Sequence, residues 1–271
     1  MANNQAQFWD EFLKRDISFL SKEIEGVGQN SFFSQLFETS KEFIEPFHGG
    51  KVLEIGCGDG MDSIALVLNY GCDVTGIDIS PRRVELAQNN IKKFGVEKLV
   101  SVRVGDATSL DFKDGEFDGV LGNSIMLFLD HEKACKEAAR VLKTGGRFVL
   151  TNESMALSTL VKLSRKFGLG YRSKDLEDHV NSRLSPYRIE ELGRRYFADV
   201  SHLPHFGLLM QIIWGSRLVF DRFMRIFKEV EIYKKPDVFC PFFLKRIDRY
   251  LIERWSWYHN RAWIVAVSFT K

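Results

Sequence analysis

The stretch KVLEIGCGDGMDS, residues 51–63, joins a short apolar run to three alternate glycines, Gly56, Gly58 and Gly60, interspersed with the acids Glu54, Asp59 and Asp62. Glycines spaced in this way turn the chain sharply and let backbone approach a ligand that side chains would hold off. A triphosphate loop needs a lysine and a serine or threonine directly after the glycines, whereas Gly60 is followed by Met61 and Asp62. A dinucleotide fingerprint would put its third glycine at position 61, and Glu54 and Asp59 set negative charge where a pyrophosphate would approach. An adenosine ligand without phosphate fits better. The bland alternative is a turn with no ligand, with Asp78 in GIDIS doing no more than capping the helix that follows.

The elements that must position this loop follow from periodicity. Apolar spacing predicts helices over residues 8–24 and 32–44, the second stopped by Pro46 and the Gly49-Gly50 pair. Strands are expected at 52–55, 73–79, around VSVRVGDAT, at 117–124 and from Arg147 in RFVLTNES, with helices at 63–69, after Pro81 and at 134–142. A further helix is expected at 186–196 and a strand near Val200. Strands alternating with helices at this interval form a mostly parallel sheet covered on both faces. The loops after Ile55, Asp78, Val104, Gly122 and Leu150 should then share one crevice at the carboxyl ends of the strands. Residues 217–228 and 242–257 each present an apolar helical face, and AWIVAVSF reads as a closing strand, so 208–258 forms a helical insertion before the last strand.

Five segments in order, LEIGCGDG, GIDIS, GDAT with Asp106, FDGVLGNS and ARVLKTGGRFVL, resemble the class I S-adenosylmethionine-dependent methyltransferases of small-molecule type, over residues 49–153. The resemblance implies a Rossmann-like, mostly parallel seven-stranded sheet covered by helices, with S-adenosyl-L-methionine as cofactor and S-adenosyl-L-homocysteine as product. It implies that Gly56, Gly58 and Gly60 let the backbone approach the cofactor, and that Asp78, with Ile79 beside it, receives both ribose hydroxyls. Asp106 is expected beside the adenine amino group and the Ala107 amide near a ring nitrogen. Glu54 would anchor the loop and oppose the cationic end of the ligand, and Asn123 would hold the methionine portion.

The reaction so implied is in-line attack by an electron-rich acceptor on the sulfonium methyl. A carboxylate acceptor needs no deprotonation at neutral pH, whereas a hydroxyl or protonated amine needs a route for its proton. Candidate bases are His131 in LDHEK, His179 in SKDLEDHVNSRLSPYR, and His202 and His205 on either side of Leu203-Pro204. For His131, a place at a helix start is the simpler explanation. The chain carries neither an NPPY segment, as in many methyltransferases of planar nitrogens, nor an acidic set of the metal-dependent catechol type. Cys57, Cys72, Cys135 and Cys240 are scattered and form no metal-ligand spacing, so no metal is expected.

With 271 residues, 45% of them hydrophobic, the chain can bury one sizeable core: an N-terminal helical lid at 1–48 and a methyltransferase domain at 49–271. A net charge of +2, from 38 basic and 36 acidic residues, gives no whole-molecule case for nucleic acid, so an RNA methyltransferase is an alternative that would need a focused basic groove. A noncatalytic methyltransferase-like binding or assembly protein is another alternative. Dispersed cysteines and no secretory pattern suggest the cytoplasm. The aromatic residues of 239–258 suit core or homodimer packing, a lipophilic acceptor pocket, or peripheral membrane contact helped by Lys245, Arg246, Arg249 and Arg254. The expected activity is methyl transfer to an O- or N-nucleophile of a moderately apolar small molecule.

Overall fold

β1 (Lys51–Ile55) has Val52, Leu53, Glu54 and Ile55 all buried, a pattern that belongs to a strand covered on both faces. The computed structural model describes residues 40–154, 186–204 and 264–271, with Ala6, Gln7 and Asp10. In it β1 lies between two parallel neighbours: β2 (Asp73–Asp78), in register from Lys51↔Asp73 to Ile55↔Ile77, and β4 (Phe117–Asn123), from Val52↔Gly119 to Ile55↔Gly122. With β3 (Val100–Val104), β5 (Leu142–Ser154), β6 (Asp199–Pro204) and β7 (Ile264–Thr270) they make a seven-stranded sheet of order β3-β2-β1-β4-β5-β7-β6. Strands β1 to β5 pair in parallel. The Gly145 amide donates to the Lys271 carbonyl at 2.9 Å and the Lys271 amide to the Gly146 carbonyl at 3.0 Å. The end of β7 thus meets the start of β5, and β7 runs against it. The sheet is the mostly parallel one expected, and its order reverses at β1 and β4, where such sheets open a ligand crevice.

The helices begin and end where local chemistry provides for their orphan groups. α1 (Lys41–Ile44) passes straight into a 3-10 turn, Glu45–Phe47. The α-helix ends at Ile44, as expected, and Pro46 lies inside the turn that follows, where a first-turn residue has no amide bond to lose. α2 (Met61–Tyr70) runs from Gly60 to Gly71, both left-handed. α3 (Pro81–Phe94) is capped by Ser80, whose hydroxyl accepts from the Arg83 amide at 3.1 Å, and closed by Gly95 at φ 68°. α4 (His131–Val141) starts three residues before the expected 134, because the Asp130 carboxylate accepts from the Lys133 amide. α5 (Pro186–Tyr196) has the bounds read from the sequence.

β5 begins at Leu142 rather than the expected Arg147. Leu142 pairs with Phe117 and the two glycines pair with Lys271, so the segment that reads as a turn has ladder partners on both sides. Beyond it Phe148 of β5 sits between Phe197 and Phe269, with ring centroids 6.1 and 5.5 Å away. These buried rings join β5, the residue after α5, and β7.

The chain divides into two compact units, Met1–Glu153 with Glu190–His202 and Ala266–Lys271, and Ser154–Ile189 with Leu203–Val265. The expected insertion at 208–258, most of the helices expected at 8–24 and 32–44, His179 and His205 lie outside the described residues. Ala6, Gln7 and Asp10 are helical, and Asp10 accepts a hydrogen bond from the Ser80 hydroxyl, which ties this N-terminal segment to the start of α3. No helix among the described residues is long and apolar enough to cross a membrane.

Candidate cofactor site

A cavity of about 210 Å³ opens at the carboxyl ends of β1 to β4. Six residues expected to bind cofactor line it: Gly56, Asp78, Ile79, Asp106, Ala107 and Asn123. Four chain segments, more than sixty residues apart at the extremes, thus meet at the predicted crevice. Glu54, Gly58 and Gly60 stand behind it rather than on its wall.

The three glycines do three different things. Gly56, at φ 71°, faces the cavity, and a Cβ there would lie 2.6 Å from the Ile125 side chain. Gly58 gives its amide to Asp78 Oδ2 at 3.0 Å, and a Cβ would stand 3.2 Å from the Arg83 guanidinium. Gly60, at φ 80°, packs α2 on α3, since a Cβ would be 3.0 Å from that of Ala87. Only the first of them is a close approach to ligand space.

Asp78, at the end of β2, is buried and held from two sides: Oδ2 accepts from Gly58 and Oδ1 from the Ser80 amide at 2.9 Å. Burial pushes its carboxyl above the usual range, against the pull of Arg83 and of the two amides, and Asp10 adds to the rise. Each oxygen keeps lone-pair capacity for one more donor, which suits a vicinal diol. Ser80, not Asp78, caps the helix. Just beyond the neighbouring strand β3, Asp106 Oδ1 takes both the Thr108 amide, at 2.8 Å, and its hydroxyl, at 2.7 Å. Asp106 Oδ2 is left for a ligand amine, next to the Ala107 backbone.

The other end of the cavity is acidic. Glu54 is buried in β1 and accepts from the Ser63 hydroxyl of α2, so it does anchor the loop it precedes. Burial, then the charge of Asp62, raises its carboxyl well above the ordinary value, against the Ser63 bond. Asp62 Oδ2 accepts from Asn123 Nδ2 at 2.6 Å, linking the start of α2 to the end of β4. Asp59 is raised as well, by burial. Acids held at this cost favour a cation beside them.

Asp62 offers a direct check. Burial lifts it from its ordinary 3.8 to about 6, while the Asn123 bond opposes the rise. The folded state therefore keeps a proton that the unfolded chain has already lost, and stability falls as pH rises from about 4 to about 6 and stays lowered above that. Asp62→Asn keeps an acceptor for Asn123 and removes the buried charge. It is expected to gain roughly 2 kcal/mol over the unsubstituted protein at about pH 7.5, allowing for partial exposure, and nothing below about pH 4. Denaturant unfolding across that range measures the difference, and a gap that does not change with pH would refute it.

His131, the first residue of α4, bonds the Met126 carbonyl through Nε2 at 2.7 Å. Nε2 therefore carries the proton, burial lowers the ring's pKa, and Nδ1 is the basic nitrogen of the neutral ring. His202 lies in β6, at the sheet edge opposite β3. His131 does not line the cavity. Buried thiols contribute no nucleophile here: Cys57, beside the cavity wall, is pushed well above the usual thiol range, and Cys135 to about 12. Among the described residues no cluster of three or more His, Cys, Asp or Glu could hold a metal ion.

The lining also includes residues that the motifs do not single out, Arg83 of α3 and the apolar Ile125, Phe128 and Leu129 after β4. For Arg83 the signal was helical phase, since the third residue after a capping serine turns back toward the strand end. The run SIMLFL after FDGVLGN signals apolar cover without telling which side chains face inward.

A family described as "Methyltransferase domain" matches residues 46–190. The chain is 31% identical over 119 residues to methyltransferase GfsG of Streptomyces halstedii, a stretch covering 44% of this chain and 43% of that protein. It is 41% identical over 100 residues to norajmaline N-methyltransferase of Rauvolfia serpentina, covering 36% of this chain and 34% of that one. The matched stretches thus span less than half of these relatives. Among solved structures, a Haemonchus contortus phosphoethanolamine N-methyltransferase 2 with S-adenosylhomocysteine superposes with a TM-score of 0.62 at 17% identity, covering 98% of this chain and 60% of that one. Geranyl diphosphate C-methyltransferase of Streptomyces coelicolor gives 0.56 at 14% identity, covering 88% and 78%. With the glycine loop, the paired acids and the strand order in place, the chain belongs to the class I S-adenosylmethionine-dependent methyltransferase family.

Proposed function

We propose that the chain transfers the methyl group of S-adenosylmethionine to an oxygen or nitrogen nucleophile of a moderately apolar small molecule. The observation that carries this is the cavity wall, with Asp78 preset for a diol, Asp106 and Ala107 after the neighbouring strand, and the acids Glu54 and Asp62 behind the lining. These groups match, in order, the ribose, the adenine and the ammonium and sulfonium charges of that cofactor. When bound, the cofactor supplies a methyl group on a positively charged sulfur. The chain's own residues would hold it, keep the site's charge matched to it, and exclude water with Ile125, Phe128 and Leu129.

Relatives named for N- and O-methylation support the acceptor class, among them norajmaline N-methyltransferase of Rauvolfia serpentina and O-methyltransferase cnsE of Penicillium expansum. A hydroxyl or amine acceptor would pass its proton to a base, and His131 is the described histidine nearest in sequence to the cavity lining, with Nδ1 as its basic atom. The fold alone does not decide methyl transfer, because a [4+2]-cyclase, SpnF, superposes with a TM-score of 0.54 over 88% of this chain. A noncatalytic methyltransferase-like binding protein is the second reading.

The deciding experiment follows labelled methyl from S-adenosylmethionine into pooled metabolite and lipid extracts, with mass analysis of products. We expect a labelled small molecule whose amount grows with enzyme and time. No product, from protein shown by calorimetry to bind S-adenosylhomocysteine, would favour the noncatalytic reading.

A further inference from the structure

The two acids that line the cavity, Asp78 and Asp106, only accept hydrogen bonds when ionised. A vicinal diol brings two O–H groups and two oxygens that themselves accept, and a buried oxygen left unbonded is costly. Asp78 can take the two protons, but a carboxylate has nothing to give back. Among the described lining residues Arg83 is the one cation.

Its placement is built by the same residues that orient Asp78. The Ser80 hydroxyl accepts from the Arg83 amide, fixing the first turn of α3, while the Ser80 amide binds Asp78 Oδ1. The guanidinium passes 3.2 Å from where a Gly58 Cβ would stand, and Gly58 is the residue whose amide holds Asp78 Oδ2. A side chain at position 58 would crowd the guanidinium and strain a backbone at φ 54°. Gly58 thus serves the cavity by admitting Arg83 beside the ribose acid, although it does not line the cavity itself.

We infer that Arg83 is a ribose-recognition residue whose guanidinium donates to the diol oxygens while Asp78 accepts the diol protons. The planar fork of an arginine presents two parallel N–H groups, which matches two adjacent oxygens where a lysine would present a single point charge. Arg83 also exerts its charge on Asp59 and Asp78, which puts the guanidinium close to both acids at the cavity that it lines. The inference rests on the S-adenosylmethionine reading of the site.

The test measures, by calorimetry, the affinities of S-adenosylhomocysteine and of its 2′-deoxy and 3′-deoxy ribose analogues for the unsubstituted protein, Arg83→Met and Arg83→Gln. Thermal unfolding confirms that each variant is folded. Arg83→Met is expected to weaken the parent ligand roughly 10- to 100-fold and to weaken at least one deoxy analogue much less, shrinking the preference for the diol. Arg83→Gln, which keeps an N–H donor, should recover part of the loss. Equal weakening of all three ligands, or no weakening, would overturn the inference, since a role confined to holding the loop cannot distinguish the analogues. Failure of the unsubstituted protein to bind S-adenosylhomocysteine would overturn the cofactor reading itself, an outcome seen before any variant is made.

Discussion

Asp78→Ala is expected to lower affinity for S-adenosylhomocysteine by about two to four orders of magnitude. Two hydrogen bonds from ribose hydroxyls to an ionised carboxylate are each worth about 1.5–3 kcal/mol, and both vanish together. The loss is larger than the pair alone suggests, because Asp78 also holds the Gly58 and Ser80 amides, and those donors lose their acceptor once it is gone. One effect works the other way, since burial already raises this carboxyl and its removal relieves that cost. Asp78→Asn should fall between, as one of its two positions becomes a donor and must break with an amide or a hydroxyl. The raised carboxyl gives a second signature. As pH falls through its folded value the acceptor is protonated, so affinity in the unsubstituted protein should weaken on the acid side and that limb should be absent in Asp78→Ala. Calorimetry with the folded variant checks both, and binding within threefold of the unsubstituted protein would remove Asp78 from the ribose site.

Phe148→Ala should be the most destabilising single truncation in the described core, at about 3–5 kcal/mol. Its ring is fully buried between Phe197 and Phe269, whose own centroids are 5.1 Å apart, so the void cannot be filled by one neighbour moving inward. Gly193 shows how tight the cluster is, since a Cβ there would fall 2.4 Å from the Phe269 ring. That loss is a large part of the roughly 5–15 kcal/mol that holds an ordinary domain folded. The cavity draws its walls from the ends of β1 to β4, on the other side of β5, so ligand affinity of the folded variant should change little. The denaturant midpoint reports the first expectation, and a loss under about 1 kcal/mol would contradict it.

The strands and the crevice were legible because each carries a local signal. KVLEI and GIDIS are apolar runs closed by special residues, Pro81 and Ser80 mark a helix start, and Gly95 marks its end. Asp78, Asp106 and Asn123 came from ordered segments and do line one cavity. What sequence could not separate was the work of neighbouring residues of one type. Gly56, Gly58 and Gly60 read alike, yet one meets ligand space, one admits an arginine and one packs a helix, and those distinctions depend on Ile125, Arg83 and Ala87 arriving from elsewhere. Arg83 was hidden for the same reason, its role being set by a helix phase and by the distance to a loop 25 residues earlier. His131 stood out as a titratable side chain, but spacing could not show that a carbonyl five residues back already holds its Nε2. The start of β5 was misplaced because a Gly-Gly pair signals a turn, and only the distant Lys271 supplies its ladder partner.

The position of β7 also dictates an order of events during synthesis. The strand nearest the end of the chain is an interior one, seated between β5 and β6, which are made earlier. Until residues 264–270 have left the ribosome, β5 presents an open hydrogen-bonding edge and β6 has no place to dock, while Phe148 lacks the Phe269 ring that covers it. The pairings among β1 to β4 need no residue beyond 123, so the cofactor half can form first, with β4 still waiting for β5. A nascent chain stalled between those points would carry a formed cofactor crevice on a sheet with an adhesive border, a species that invites chaperone capture or self-association.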